Sequence, residues 1–180
     1  MMLTIVLYVV IGILALVLVM TLAGLALPRA HRAARTARFP TPPDEVWRAI
    51  RDHEGHTRWR RGLAKVERID DTTWREHSRH GVITFALDED TPPTATSQGR
   101  LVARIADDNL PFGGRWIHVV APDRGATRVT ITEDGFVSNP LFRFLSHFVF
   151  GHATTLEHYL TDLSRHLGVA TSPEPADPIL

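Results

Sequence analysis

The chain has 180 residues, with 20 Lys and Arg against 20 Asp and Glu, 10 His, no Cys and 44% hydrophobic residues. This length allows one compact domain plus appendages, and a formal charge of zero offers no basic face to displace phosphate counterions, which argues against a dedicated nucleic-acid binder. The lack of cysteine excludes disulfides, thiolate catalysis, Cys-ligated zinc and iron–sulfur clusters together.

The apolar residues are concentrated at the amino end. Residues 1–28 carry no charged side chain, and residues 3–27 are Leu, Ile, Val, Ala, Met and Tyr interrupted only by Thr4, Gly12, Thr21 and Gly24. At about 1.5 Å per helical residue the run spans about 38 Å, enough to cross a hydrocarbon core of about 30 Å with some tilt. A cleaved export signal fits less well. No Lys or Arg precedes the run, the run is longer than a usual signal core, and the best small-residue site, Gly24-Leu25-Ala26, is followed by Pro28. Arg29, Arg32, Arg35 and Arg38 follow the span closely, so the expected form is a single-pass protein with its remaining chain on the cytoplasmic side. With His31 these arginines are also placed to meet anionic headgroups.

Residues 35–39 read as a first strand, stopped by Pro40, Pro42 and Pro43. Asp44 and Glu45, followed by Val46, Trp47 and Ile50 at helical spacing, predict a helix of about two turns ending near Asp52. Residues 54–61 predict a second short helix anchored by Trp59 and punctuated by Gly55 and Gly62. The period then changes, and residues 63–69, 72–79, 82–89, 98–105, 115–121 and 127–134 are short β-branched or alternating runs separated by turn residues, among them His80-Gly81. They predict an antiparallel meander. Ile83, Phe85 and Leu87 share one face, as do Leu101, Ala103 and Ile105, and Val129 and Ile131, while Arg100, Arg104, Arg128, Thr130 and Thr132 alternate toward water. A long final helix is opened by Asn139 and Pro140 and closed by Gly168, with Leu141, Leu145, Phe148, Leu156, Tyr159, Leu160, Leu163 and Leu167 forming an apolar stripe and Gly151 in its middle. Residues 169–180 contain three prolines and read as a disordered tail. The expected organisation is an anchor at 1–28, a basic linker at 29–35, a folded domain at 36–168 and the tail.

One strand, two short helices, six antiparallel strands and a long C-terminal helix is an element order that resembles the α+β helix-grip fold. Local motifs agree. Pro42-Pro43-Asp44-Glu45-Val46-Trp47, with Trp59 after it, resembles the entry helices of START-like, Bet v 1-like proteins, the superfamily labelled polyketide cyclase/dehydrase and lipid transport. The stretch from Ile131 through Glu133, Gly135 and Ser138 to Pro140 resembles the passage from last strand to long helix in many bacterial members. The resemblance covers residues 36–167 and leaves the anchor outside. It implies a curved sheet wrapped round a long helix, with an apolar cavity between them that the family uses for lipids, polyketides, hormones and other greasy small molecules. It does not imply an enzyme, since transporters, receptors, cyclases and hydrolases share the fold and no common catalytic signature transfers to this chain.

In such a cavity buried polar residues are the informative exceptions. By alternation Glu76 lies with Trp74, His118 with Trp116, and Glu133 with Val129 and Ile131, while His152 lies beside the helical stripe. A His between carboxylates offers acid/base chemistry for a cyclisation or dehydration. In the alternative, Glu133 caps or pairs with an arginine and His118 is a satisfied core residue. The expected lining is Trp74, Phe85, Leu87, Leu101, Ala103, Trp116, His118, Ile131, Phe144, Phe148 and His152, with Trp47 and Trp59 as core anchors. The pairs His53/His56 and His77/His80 have the wrong geometry for a shared metal, as do His147 and His152, and neither metal nor cofactor is expected. No nucleophile elbow, phosphate loop or dinucleotide fingerprint occurs. The expected function is a membrane-anchored binder of a hydrophobic small molecule or lipid. Its alternatives are an enzyme using Glu76, His118 or Glu133, and a protein-interaction module whose core leaves no cavity of about 300 Å³. No protein partner follows from the sequence.

Overall fold

The computed structural model describes residues 1–79 and 81–180, with Phe150 described by its backbone only. Helix α1 spans Met2–Ala26 and is followed by β1, Ala30–Phe39. Helix α2, Pro43–Arg51, leads into a 3-10 turn at Glu54–Arg58, and then come β2 (Leu63–Arg68), β3 (Thr73–Ser78), β4 (Gly81–Thr91), β5 (Gly99–Ile105), β6 (Phe112–Asp123) and β7 (Ala126–Val137). Helix α3, Pro140–Leu145, a π turn at Ser146–Phe150, helix α4, Thr154–His166, and a two-residue β8, Glu174–Pro175, complete the chain. The eight strands form one antiparallel sheet in the order β2-β3-β4-β5-β6-β7-β1-β8. This is the α+β helix-grip architecture.

Local sequence accounts for most boundaries. Helix α2 has Pro43 in its first turn with Asp44 and Glu45, and Arg48 and Arg51 in its last, which places each charge favourably on the helix dipole. It buries Val46, Trp47 and Ile50. Register shifts at Leu63/Lys65 in β2 and Leu87/Glu89 in β4 are the bulges by which a sheet bends. On its concave side Leu156, Tyr159, Leu160 and Leu163 of α4 pack against Phe39, Leu101, Val129 and Ile131, a helical face of three- and four-residue spacing laid on alternating strand residues.

Four expectations are corrected. The basic stretch 29–35 is no linker, because from Ala30 onward it belongs to β1 and pairs with β7, Ala30 opposite Phe136. The final helix is not continuous. Gly151 takes φ +73°, its N–H bonding the Ser146 carbonyl at 3.0 Å, and this left-handed residue separates α3 from α4. Each piece then docks on a different surface, α3 on α1 and α4 on the sheet. The tail is ordered as well: β8 pairs with Arg35 and Thr36 of β1, and Ile179 N–H donates to Thr132 Oγ1 at 2.9 Å. Thr132 and Thr130, expected to face water, are buried, and Val102, Ile117 and Val119 form a second apolar cluster with Ile179 against it. These valines and isoleucine lie on the convex face, and the tail covers them.

Helix α1 is long and apolar enough to cross a membrane, and its large apolar side chains other than the half-buried Met20 are exposed. Only Gly24 is buried in it. His80, named above in a turn and in a histidine pair, lies outside the described residues.

Candidate functional site

The space between sheet and helix is not filled. A cavity of about 500 Å³ lies between β3–β7, the turn after α2 and helix α4, within the range usual for small-molecule sites. Strand alternation builds its wall: Trp74 and Glu76 from β3, Phe85 from β4, Leu101 and Ala103 from β5, Trp116 and His118 from β6, and Glu133 from β7. The register sets Leu101 opposite His118, Ala103 opposite Trp116, and Trp116 opposite Glu133. Tyr159 and His158 of α4 close the opposite side, with His53, His56 and Arg60 at one edge.

At that edge the charges are matched. Arg60 Nη1 donates to Glu76 Oε1 at 2.6 Å, and Trp74 Nε1 donates to the same oxygen at 3.3 Å. Arg60 also donates to His56 Nδ1 at 3.3 Å, while His56 Nε2 donates to the Ile50 carbonyl at 2.9 Å. These two bonds define a neutral His56 protonated on Nε2. Burial, with the Arg60 charge beside it, holds its pKa well below the ordinary value. His53 stacks on Trp74 with ring centroids 3.7 Å apart, and burial, then Arg51 and Arg60, lowers it to about 3. The Arg60 guanidinium lies 5.3 Å from the Tyr159 ring centroid.

Deeper in, the polar groups are not matched. His118 is 5% exposed, and neither ring nitrogen has a hydrogen-bond partner among the described residues. The Tyr159 hydroxyl is buried and equally without a partner among them. The two rings lie 5.4 Å apart, with Trp116 and Trp59 edge-on to Tyr159 at 5.7 and 5.2 Å. Burial, then the charges of His53 and Arg60, lowers His118 to about 3, while the Leu101 carbonyl pulls weakly the other way without reaching hydrogen-bond geometry. Burial raises the Tyr159 phenol. A neutral imidazole and a neutral phenol in an aromatic wall can each donate and accept a hydrogen bond, and neither is tuned to move a proton near neutral pH.

The histidines impose a pH dependence. In the unfolded chain an imidazole binds its proton near pH 6.5, whereas His53 and His118 in the fold bind only near 3. Between these limits the unfolded state holds more protons, so stability is complete above about pH 6.5 and declines as pH falls toward 3. His118 alone contributes a slope of about 1.4 kcal/mol per pH unit in that window. Urea midpoints of the full chain in micelles are expected to fall between about pH 7.5 and about pH 5; equal midpoints would mean that these rings are solvated.

Of the residues singled out by sequence, Trp74, Glu76, Phe85, Leu101, Ala103, Trp116, His118 and Glu133 meet around the cavity. Leu87 and Ile131 belong to the core packed beside it. Phe144 and Phe148 lie in α3 and the π turn, their rings 4.9 Å apart, and Phe148 is 62% exposed. His152 stacks on His31 at 3.9 Å. The carboxylates do not flank the histidine: Glu76 is held by Arg60, and Glu133 Oε1 lies 3.1 Å from His31 Nε2. Among the described residues no three His, Asp or Glu side chains are grouped to hold a metal ion. Arg60, His53, His56 and Tyr159 were not among the expected lining residues. A Tyr among the leucines of α4 was the one available signal for Tyr159, whereas nothing in sequence marks Arg60, which reaches Glu76 across the fold.

A family model for polyketide cyclase/dehydrase and lipid transport matches residues 30–165. No curated protein matches the chain. Among solved structures, a START superfamily protein from Mycobacterium smegmatis superposes with a TM-score of 0.57 at 16% identity, covering 77% of this chain and 97% of that one. A norcoclaurine synthase from Thalictrum flavum gives 0.58 at 9% identity, covering 77% and 94%. The Zhui aromatase/cyclase from a Streptomyces species gives 0.51 at 16%, covering 77% and 96%. At these identities the likeness is one of fold.

Proposed function

Because the chain belongs to the polyketide cyclase/dehydrase and lipid transport family, we propose that it is a binding protein for an uncharged hydrophobic small molecule or lipid, held in the cavity and anchored to a membrane by residues 1–28. The carrying observation is the pair of buried, unpartnered polar groups, the His118 ring and the Tyr159 hydroxyl, set among aromatic walls. Such groups cost free energy in the empty protein and are relieved by a ligand oxygen. Of the arginines that line the cavity, Arg60 pairs with Glu76, Arg61 with Asp162 and Arg115 with Asp134, so these three are neutralised, which disfavours a carboxylate ligand. A ligand with a carbonyl or hydroxyl on a ring or chain body fits this chemistry. Glu76 committed to an ion pair and His118 held neutral favour binding over acid/base turnover. The anchor reading rests on α1, and the arginines at its exit favour the cytoplasmic side for the domain.

The test uses the full chain in nanodiscs and two matched probes, the neutral ketone 2-acetylnaphthalene and the carboxylate 2-naphthoate. Saturable quenching of tryptophan emission by the ketone is expected, with at least about tenfold weaker binding of the carboxylate, a difference of about 1.4 kcal/mol. Ala103→Phe, which fills the cavity from β5, removes the saturable component. Equal quenching with and without that substitution, or preference for the carboxylate, would overturn the proposal.

A further inference from the structure

One side chain joins the anchor to the domain. Arg143 of α3 is 5% exposed, and its guanidinium donates to four carbonyls: Val137 from Nε, Gly24 and Leu27 from Nη1, and Ser138 from Nη2, each at 3.0 Å. Gly24 and Leu27 belong to the end of α1, where the helix dipole is negative; the Gly24 carbonyl also accepts from Leu27 N–H at 3.3 Å, and Arg143 adds a charged donor to it. A Cβ on Gly24 would stand 1.9 Å from the Pro140 carbonyl oxygen, so α3 meets the last turn of α1 backbone to backbone.

This contact determines where an exposed apolar surface lies. Between Asn139 and Leu156 there is no acidic residue, and Arg143, the one arginine, is buried. Phe142 is 41%, Phe148 62% and Val149 63% exposed, and Phe136 at the end of β7 adds to them. Such a patch on a water-facing surface is unusual. Here it stands beside the exit of a helix built to cross a bilayer, where amphipathic segments bury their apolar face about 5–10 Å into the headgroup boundary. The cavity reaches the same place, since Phe112 and Gly113 line it and the Phe112 ring lies 6.4 Å from that of Phe142.

We propose that residues 140–150 are an interfacial membrane segment, held against the anchor by Arg143, which sets the Phe112 end of the cavity against the lipid surface. The inference rests on the reading of α1 as a membrane anchor. The bilayer is the occupant because the patch is continuous with the apolar helix, carries no acid to repel an anionic leaflet, and is fixed to α1 by buried hydrogen bonds.

The chain has no cysteine, so single cysteines report position cleanly. Phe148→Cys, Val149→Cys, Leu14→Cys and Arg124→Cys versions of the full chain carry a polarity-sensitive thiol probe in phosphatidylcholine/phosphatidylglycerol vesicles, with and without brominated acyl chains. Leu14 lies within α1, and Arg124 turns the β6–β7 hairpin at the end opposite Phe112, on the order of 40 Å along the strands. The expected result is loss of emission at positions 14, 148 and 149 and none at 124. Loss at 14 alone, or equal loss at 124 and 148, overturns the interfacial segment while leaving the anchor standing; no loss at any position overturns both.

Discussion

Arg143→Met is expected to lower the unfolding free energy by about 3 kcal/mol. Methionine is similar in reach and apolar, so little packing is lost, but four carbonyls lose a charged donor at once, while the Gly24 carbonyl keeps its backbone partner, Leu27 N–H at 3.3 Å. Two of them, at Val137 and Ser138, end β7 and cap the approach to α3, and the other two end α1. Hydrogen bonds to a charged donor contribute about 1.5–3 kcal/mol each. Some carbonyls regain partners when the junction opens, so the total stays well below the sum. Arg143→Lys is expected to fall between wild type and Arg143→Met, because an ammonium keeps the charge at the helix end without the planar fork that spans four acceptors. Urea unfolding of the full chain in micelles reads the effect through the tryptophans, all four of which, Trp47, Trp59, Trp74 and Trp116, lie in the folded domain. A change of less than about 0.5 kcal/mol for Arg143→Met, the size of an ordinary surface substitution, would show that the junction carries no strain-bearing hydrogen bonds.

Tyr159→Phe and His118→Leu are each expected to stabilise the empty protein by about 1 kcal/mol while weakening 2-acetylnaphthalene binding by about tenfold or more. Most core substitutions destabilise, so the opposite sign is the signature of groups retained for a ligand. Tyr159→Phe deletes a single buried hydroxyl without changing shape. His118→Leu removes two unpartnered nitrogens and, with them, its share of the decline in stability below about pH 6.5. Thermal unfolding with and without the ketone separates the two effects. Loss of more than about 1 kcal/mol on Tyr159→Phe would mean that the hydroxyl is satisfied in the empty fold, and the binding proposal would lose its main support.

Much of the wall of the cavity was legible because it depends on alternation. Trp74 with Glu76, Trp116 with His118, and Leu101 with Ala103 share a face whatever the rest of the chain does, since strand side chains repeat every second residue. The helix ends were legible for the same local reason: Asn139 caps α3 by accepting from Phe142 N–H at 2.9 Å, and Pro43 with two acids starts α2. Alternation does not say how far a face extends over the bound space. Leu87 and Ile131 sit on the expected faces yet join the packed core, and Phe148 sits on the expected helical stripe yet faces outward, because the helix breaks at Gly151 and turns its first half toward α1.

The sequence by itself determined the apolar helix, the order of the seven long strands and of the helices short of the break at Gly151, the cavity-facing residues of several strands and the excluded cysteine chemistries, since composition, periodicity and turn residues act over a few neighbours. Only the tertiary structure decided the partners. Arg60 meets Glu76 sixteen positions on, His31 meets Glu133 across a strand pair, Arg143 reaches Gly24 from the other end of the chain, and the proline-rich tail returns to cover Thr132. These contacts join residues distant in sequence, and each arises from the need of a buried charge, carbonyl or apolar face to be covered by whatever the fold brings against it.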